Sequence, residues 1–276
     1  MWRTKSPDLE QIKLLKKARE EYDLTPMVIH GSYLINLGAP HGEIREKSID
    51  GFRGEIERAL QIGADYLVVH PGNYKGQSVE QSMLNLAEAV ALAWRAVDPQ
   101  LAANARLTVL LENTAGAGAQ LGGNLEELAA IRQLVSPYLD VPVGFCLDTC
   151  HCYVSGWDVA EQQGLDKFVA AAATILGLQH VRVIHANDTK MKLASHCDRH
   201  ANIGSGNIGL EGFRRILNHR DLRSKAFILE TPVDQPGDDL RNITALKELV
   251  FPRRRSTLKK SSRSGTNVGQ RTRRCT

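Results

Sequence analysis

The stretch Val143-Gly-Phe-Cys-Leu-Asp148, followed at once by Thr149-Cys150-His151, decides how this chain reads. A nearly unbroken apolar run of this length is a strand covered on both faces, as in a parallel sheet, rather than a half-exposed strand that alternates. It closes on a carboxylate, with a histidine three residues further on. Five other runs have the same form: Met27–His30, Tyr66–His70, Leu107–Glu112, Val181–His185 and Phe227–Glu230. Helical segments separate them. Ser6-Pro7 predicts a helix start with proline at its first position, and Leu9, Ile12, Leu15 and Ala18 predict its packing face. Ser78 with Gln81, and Asn124 with Glu127, predict capping boxes, and Gly63 predicts a helix stop. Alternating strands and helices imply repeated βα units on a parallel sheet.

No glycine-rich GxGxxG loop directly follows any of these six runs. Polar chemistry stands instead at strand after strand. In a closed barrel every strand's C-terminal end faces one shared site, whereas an open sheet spreads those ends along a crevice. The expected fold is therefore α/β, a TIM (β/α)8-type barrel, incomplete because six strands are recognisable. It spans residues 1–251 and is followed by a disordered basic tail, 252–276.

The bulk numbers fit a soluble protein of ordinary composition. The chain has 276 residues, 42% hydrophobic and 24% charged, with a formal net charge of +4. That charge is uneven. Nine of the 35 basic residues lie in 252–276, where there is no acid, which leaves 26 basic against 31 acidic residues in the rest. A basic, nearly apolar-free arm cannot bury a core and attracts nucleic acid in a salt-dependent way, or serves only as a solubilising tail. No run is long and apolar enough to span a membrane, and Met1-Trp2-Arg3-Thr4-Lys5 is not the start of a signal peptide, so a cytoplasmic location is expected. Five cysteines, an odd number without paired zinc-finger spacing, read as reduced filler in or near the core rather than as disulfides or ligands.

The strand ends carry His30, His70, Glu112, Asp148 with His151, His185 and Glu230, and the loop after the fifth strand carries Asp198 and His200. Singly, each has an ordinary explanation: a hydrogen-bonded histidine, a glutamate paired with arginine, an aspartate capping a helix. Jointly they do not. Carboxylates gathered without a cation would repel one another and raise each other's pKa. Imidazole mixed with carboxylate suits zinc, manganese or iron better than magnesium or calcium. The number of groups exceeds what one tetrahedral ion needs, and neighbouring metals are a recurring device for phosphodiester cleavage. The glycine-rich Ile203–Gly209 segment reads either as a backbone that approaches substrate or as a flexible loop.

At these residues the chain resembles the endonuclease IV family of apurinic/apyrimidinic endonucleases. The resemblance rests on His30-Gly-Ser-Tyr-Leu-Ile-Asn-Leu-Gly38, Val69-His-Pro-Gly72, Leu111-Glu-Asn-Thr-Ala-Gly116, Cys146-Leu-Asp-Thr-Cys-His151, His185-Ala-Asn-Asp188, Asp198-Arg-His200 and Ile228-Leu-Glu-Thr231. It runs from about Trp2 to Val250. It implies a TIM barrel with three zinc ions, manganese or iron being alternatives at one site. His30 and His70 would hold the first, Glu112 would bridge the first and second, Asp148, His185 and Glu230 would complete the second, and His151, Asp198 and His200 would hold the third. Glu112 and Glu230 are the residues it places at the catalytic step, and Tyr33 at the DNA surface. It implies a monomer that hydrolyses double-stranded DNA on the 5′ side of abasic sites, leaving a 3′-hydroxyl and a 5′-deoxyribose phosphate, in base excision repair.

The family also has a strand, a helix and a second strand before the segment matching Trp2, with a loop that enters the DNA. A misassigned start is expected rather than an open barrel, because bare strand edges invite aggregation. Two other readings compete. A xylose-isomerase-like sugar isomerase or epimerase shares the strand-end Glu, Asp and His but not the set His151, Asp198 and His200. A truncated, non-catalytic form would bind DNA weakly and without preference for a lesion.

Overall fold

A computed structural model describes residues 7–103 and 105–251. Six strands form one parallel sheet: β1 (Val28–His30), β2 (Tyr66–Val69), β3 (Thr108–Glu112), β4 (Val143–Asp148), β5 (Val181–His185) and β8 (Ala226–Ile228), in the order β1-β2-β3-β4-β5-β8. A two-stranded antiparallel hairpin, β6 (Asp188–Thr189) and β7 (His200–Ala201), lies in the β5–β8 connection. The helices are α1 (Leu9–Glu21), α2 (Glu43–Ile62), α3 (Val79–Arg95), the short α4 (Pro99–Ala102), α5 (Leu125–Val135), α6 (Thr149–Val154), α7 (Gln162–Ile175), α8 (Gly209–Asn218) and α9 (Asp238–Leu249). The sheet is the curled βα array read from the sequence. Among the described residues it is not closed: β1 and β8 are its two ends, paired with β2 and β5 only. The basic segment 252–276 lies outside the described residues, as does Ser6.

Strand alternation sorts the apolar residues onto two faces. Leu67 and Val69, Val109 and Leu111, Phe145 and Leu147, and Ile184 join the large buried cluster shared with the helices. Val68, Leu110, Cys146 and Val183 form a small separate cluster on the inner face, flanked by half-buried Val28, Tyr66, Ala226 and Ile228. The register aligns Asp148 with His185 and His185 with Ile228, so strand ends of the same polarity lie side by side.

Several local expectations need correction. The first helix is capped by Asp8, whose carboxylate accepts the Glu10 N–H at 2.8 Å, and not set by Pro7. Of its predicted face only Ile12 is buried, and Leu9 is largely exposed. Both capping boxes are half formed. Ser78 Oγ accepts the Gln81 N–H at 3.1 Å, but the Gln81 side chain turns to Asn85. Asn124 Oδ1 accepts the Glu127 N–H at 2.8 Å, but Glu127 takes the Gly122 N–H. In each case a nearer polar partner wins over the cap's own backbone. Gly63 does stop α2, in the left-handed conformation with φ 75°. The last strand ends at Ile228, which leaves Glu230 two residues beyond it. The four described cysteines are free: Cys146, Cys150 and Cys152 are buried and Cys197 is partly so.

Candidate metal centre

All nine sequence-predicted residues converge at the C-terminal ends of the strands. His30 ends β1, His70 follows β2, Glu112 ends β3, Asp148 ends β4 and His185 ends β5. His151 stands in the first turns of α6, and His200 opens β7 two residues after Asp198. Asp148 is both a cluster member and a cap: Oδ1 accepts the His151 N–H at 2.8 Å at the start of α6. Of the two readings weighed for it in the sequence, the cap is formed, and its carboxylate also faces the cluster.

Glu112 lies at the middle and is fully buried. Its Oε2 is 2.8 Å from His30 Nε2 and 3.4 Å from His70 Nε2, while Oε1 is 2.8 Å from His185 Nδ1. One carboxylate thus faces two groups of ligand atoms. His185 Nδ1 is also 3.1 Å from Glu230 Oε2. On the far side, Asp198 lies between two imidazoles, with Oδ2 at 3.1 Å from His151 Nε2 and Oδ1 at 3.2 Å from His200 Nε2. Asp148 Oδ2 is 3.8 Å from His200 Nε2, so it borders this third group as well as the second. Potential ligand atoms of His30, His70 and Glu112, of His30, His185 and Glu230, and of Asp148, His151 and His200 fall within 4.8 Å of one another.

The proton positions follow from backbone partners. A carbonyl oxygen only accepts, so a ring nitrogen against one must carry the proton. His30 Nδ1 donates to the Gly31 carbonyl at 2.7 Å, His151 Nδ1 to Asn113 at 2.9 Å and His200 Nδ1 to Glu230 at 3.1 Å. In the neutral ring this turns the Nε2 lone pair toward the cluster, the arrangement found behind metal-bound histidines. His200 Nε2 is buried and makes no hydrogen bond, although Asp198 is near. A buried nitrogen left without a donor or acceptor is costly unless something else takes its lone pair. The donor set therefore fits divalent cations.

The electrostatics correct one step of the sequence argument. Without metal, burial and the Glu112 charge do push Glu230 upward, but the neighbouring imidazoles outweigh them and the net shift is downward. Burial pushes Glu112 upward, but His185, His30 and His70 outweigh it and hold it well below the usual range. Asp198 is half-exposed; its partial burial pushes it upward, but His151 and His200 outweigh that and hold it low. The imidazoles are interleaved with the carboxylates and respond in kind. Burial disfavours charge on His151, yet Asp148, Asp198 and Glu112 push it up to about 10. Burial opposes charge on His200 too, but Asp198, Cys150 and Asp148 push it up to about 12. His70 is the exception: burial, with His30 and His151 beside it, outweighs Glu112 and lowers it. Imidazolium can thus stand where a cation would, and the case for metal rests on ring orientation rather than on carboxylate repulsion. Cys146 is near Glu112 and His185, and without metal burial pushes its thiol up to about 12.

Three residues that the sequence reading passed over build the site's support. Asn113 follows Glu112 directly. Its Oδ1 accepts the Asp148 N–H at 2.7 Å, and its carbonyl is the one that orients His151. Asn187 stands two residues after His185, the spacing that puts two strand residues on one face, and touches both Asp148 and Glu230. Asp188 is buried inside the glycine-rich segment. Its carboxylate accepts N–H groups of Gly204 and Gly206 at 3.0 and 2.9 Å, of Ile208 at 3.0 Å and of Gly209 at 3.3 Å. Those amides point inward, so this segment is a wrapped anchor and not a cradle for substrate. Tyr33, on the loop after β1, is 86% exposed.

The family model described as xylose isomerase-like TIM barrel matches residues 2–249. The chain is 53% identical over 250 residues to a probable endonuclease 4 of Solibacter usitatus (strain Ellin6076), covering 91% of this chain and 84% of that one. It is 41% identical over 233 residues to a probable endonuclease 4 of Halothermothrix orenii, covering 84% and 80%. Its structure superposes on that of endonuclease IV from Thermus thermophilus with a TM-score of 0.76 and 36% identity, over 90% of this chain and 84% of that one. A D-tagatose 3-epimerase-like protein, 21% identical with a TM-score of 0.63 over 87% of this chain and 82% of that one, shares the fold.

Proposed function

Because the chain belongs to the endonuclease 4 family of xylose isomerase-like TIM barrels, we propose that its strand-end cluster hydrolyses the DNA backbone on the 5′ side of abasic sites. It is a metal-dependent endonuclease acting on DNA. The finer reading, of substrate and metal, rests on one observation above others: five ring nitrogens and four carboxylates converge at a single mouth, with His200 Nε2 buried there and free of any hydrogen bond.

In this reading three zinc ions are held, one by His30, His70 and Glu112, one by Glu112, Asp148, His185 and Glu230, and one by His151, Asp198 and His200. Divalent cations so held supply Lewis acidity toward phosphoryl oxygens and make water more acidic. The chain's own residues do the rest. Glu112, with one oxygen toward each of two groups, sets their separation. Backbone carbonyls of Gly31, Asn113 and Glu230 keep three imidazoles aimed at the mouth. Tyr33, exposed on the loop after β1, would offer an aromatic face to DNA. An abasic nucleotide has no base to unstack, so drawing it into the mouth costs less than flipping an intact one. No helix among the described residues is long and apolar enough to cross a membrane. The epimerase-like neighbour supports the fold alone and gives the isomerase reading no footing.

The test is a zinc-loaded preparation with a duplex bearing one abasic site. Nicking 5′ to the site, with a 3′ end that a polymerase extends, is expected, and the intact duplex should survive. Equal cutting of both duplexes, or none by a folded and metal-replete protein, would overturn the proposal.

A further inference from the structure

Glu230 has a placement problem that its neighbours in the cluster do not share. Glu112, Asp148 and His185 end strands paired on both sides, whereas Glu230 lies two residues beyond β8, a strand paired only with β5. The last ladder bond is the Ala186 N–H donating to the Ile228 carbonyl at 2.7 Å. Past it, two side chains tie the Glu230 backbone. Its N–H donates to Asn187 Oδ1 at 2.9 Å, and its carbonyl accepts from His200 Nδ1.

Asn187 is fully buried and every polar atom it has is used. Its backbone N–H donates to Thr149 Oγ1 at 2.9 Å, and its carbonyl accepts from that hydroxyl at 2.8 Å. The Glu230 N–H fixes which end of the amide is oxygen. The Nδ2 group must then face the carboxylates, donating to Asp148 Oδ2 at 2.5 Å and toward Glu230 Oε2 at 3.4 Å. A neutral head with one acceptor and two donors suits this slot. Aspartate would put a third carboxylate against the other two, and a hydrocarbon would orphan a backbone N–H and two carboxylate oxygens.

We propose that Asn187 is a positioning residue for the second metal set: it docks the end of β8 and sets Asp148 and Glu230 as a pair across from His185. This inference rests on the metal centre proposed above. Asn187 touches no reacting atom and acts through the two carboxylates.

A double-mutant cycle on metal affinity tests it. Zinc dissociation constants are measured by chelator competition, and metal content by elemental analysis, for the wild type, Asn187→Leu, Glu230→Gln and the double variant. Leucine keeps the branched shape, at a larger volume, and removes the three side-chain contacts. Asn187→Leu should weaken one ion about 10–100-fold, as removal of an outer hydrogen-bond partner does, and leave the others in place. In the Glu230→Gln background it should weaken the ion by a clearly smaller factor, because one of the two ligands through which it acts is already gone. An Asn187→Leu chain of wild-type affinity, or the same weakening in both backgrounds, would overturn the inference. Should Asn187→Leu fail to fold, Asn187→Ser, too short to reach either carboxylate, runs the same cycle with the same expected outcome. A wild-type chain that holds no divalent cation overturns the metal centre and this inference together, whereas a metal-replete wild type with an unaffected variant overturns this inference alone.

Discussion

At the scale of residues, proton balance is the sharpest consequence of the cluster. In the metal-free protein His151 and His200 are pushed up to about 10 and about 12 by the carboxylates that outweigh their burial, so both carry protons at neutral pH. Metal must displace those protons. Zinc binding near pH 7 should therefore release about one to two protons, with affinity rising from pH 6 to 8. Calorimetry in buffers of different ionisation enthalpy measures this, and a buffer-independent heat would contradict it. The sign for stability follows separately. These histidines have folded values above the unfolded value of about 6.5, so in the metal-free protein they contribute fully below that pH. The contribution is lost as pH climbs through 10 and beyond. Tyr33 gives a second prediction. Tyr33→Ala should raise KM for abasic duplex about tenfold or more while zinc content stays unchanged. A loss of metal instead would mean that Tyr33 supports the cluster and not the DNA. What the sequence could show at this scale was the set of donors. It could not show which nitrogen of each ring faces inward, because that depends on backbone carbonyls: Gly31, next to His30, and Asn113 and Glu230, which are distant in the chain from His151 and His200.

At the scale of elements, the connection from β5 to β8 carries the most sequence-hidden structure. The glycines of 204–209 suggested either mobility or substrate contact, but the carboxylate of Asp188 gathers four of the segment's N–H groups. This anchor lies next to the β6–β7 hairpin that presents Asp198 and His200. Asp188→Asn replaces one acceptor oxygen with a donor that faces other donors, and should cost about 2–4 kcal/mol in urea unfolding, with loss of one zinc. Gly206→Ala should act alike, since a Cβ there would collide with both Asp188 Oδ1 and the Thr189 carbonyl. Wild-type stability and zinc content in both variants would show that the segment is not an anchor. The strands and most helices were legible because each is a long apolar run or a capped periodic segment. The hairpin was not: its strands are two residues each, too short for any hydrophobic period, and their pairing across residues 190–199 is a tertiary choice.

At the scale of the molecule, charge is divided between a slightly acidic body and a basic segment. The nine Lys and Arg of 252–276 should strengthen DNA binding through counterion release rather than through chemistry. A chain ending at Phe251 should keep its zinc and its cleavage rate at saturating DNA. Its affinity should fall at low salt, and the slope of log Kd against log salt should flatten. An unchanged slope would assign those residues no role in DNA binding. The inner face of the sheet is thin by comparison with the outer one. Four buried residues line it, and the polar cluster sits above them, so metal ligands crown a small apolar floor while the helices cover the large one.

The sequence by itself determined that this is a βα array with one chemical end. Strands covered on both faces must be apolar throughout, and a site shared by several strand ends must repeat its polar residues there, so both leave periodic marks in the chain. Nine donors and their spacing were visible for that reason. The tertiary structure alone decided how they are held. Glu112 sits at the centre because β3 lies between β2 and β4. Asn113, Asn187 and Asp188 are supports because of what the fold brings against them, and an asparagine bears no sign in sequence of whether its amide meets water or two buried carboxylates. The orientation of the His151 and His200 rings and the anchoring of Glu230 past the end of its strand are long-range contacts, and only folding creates them.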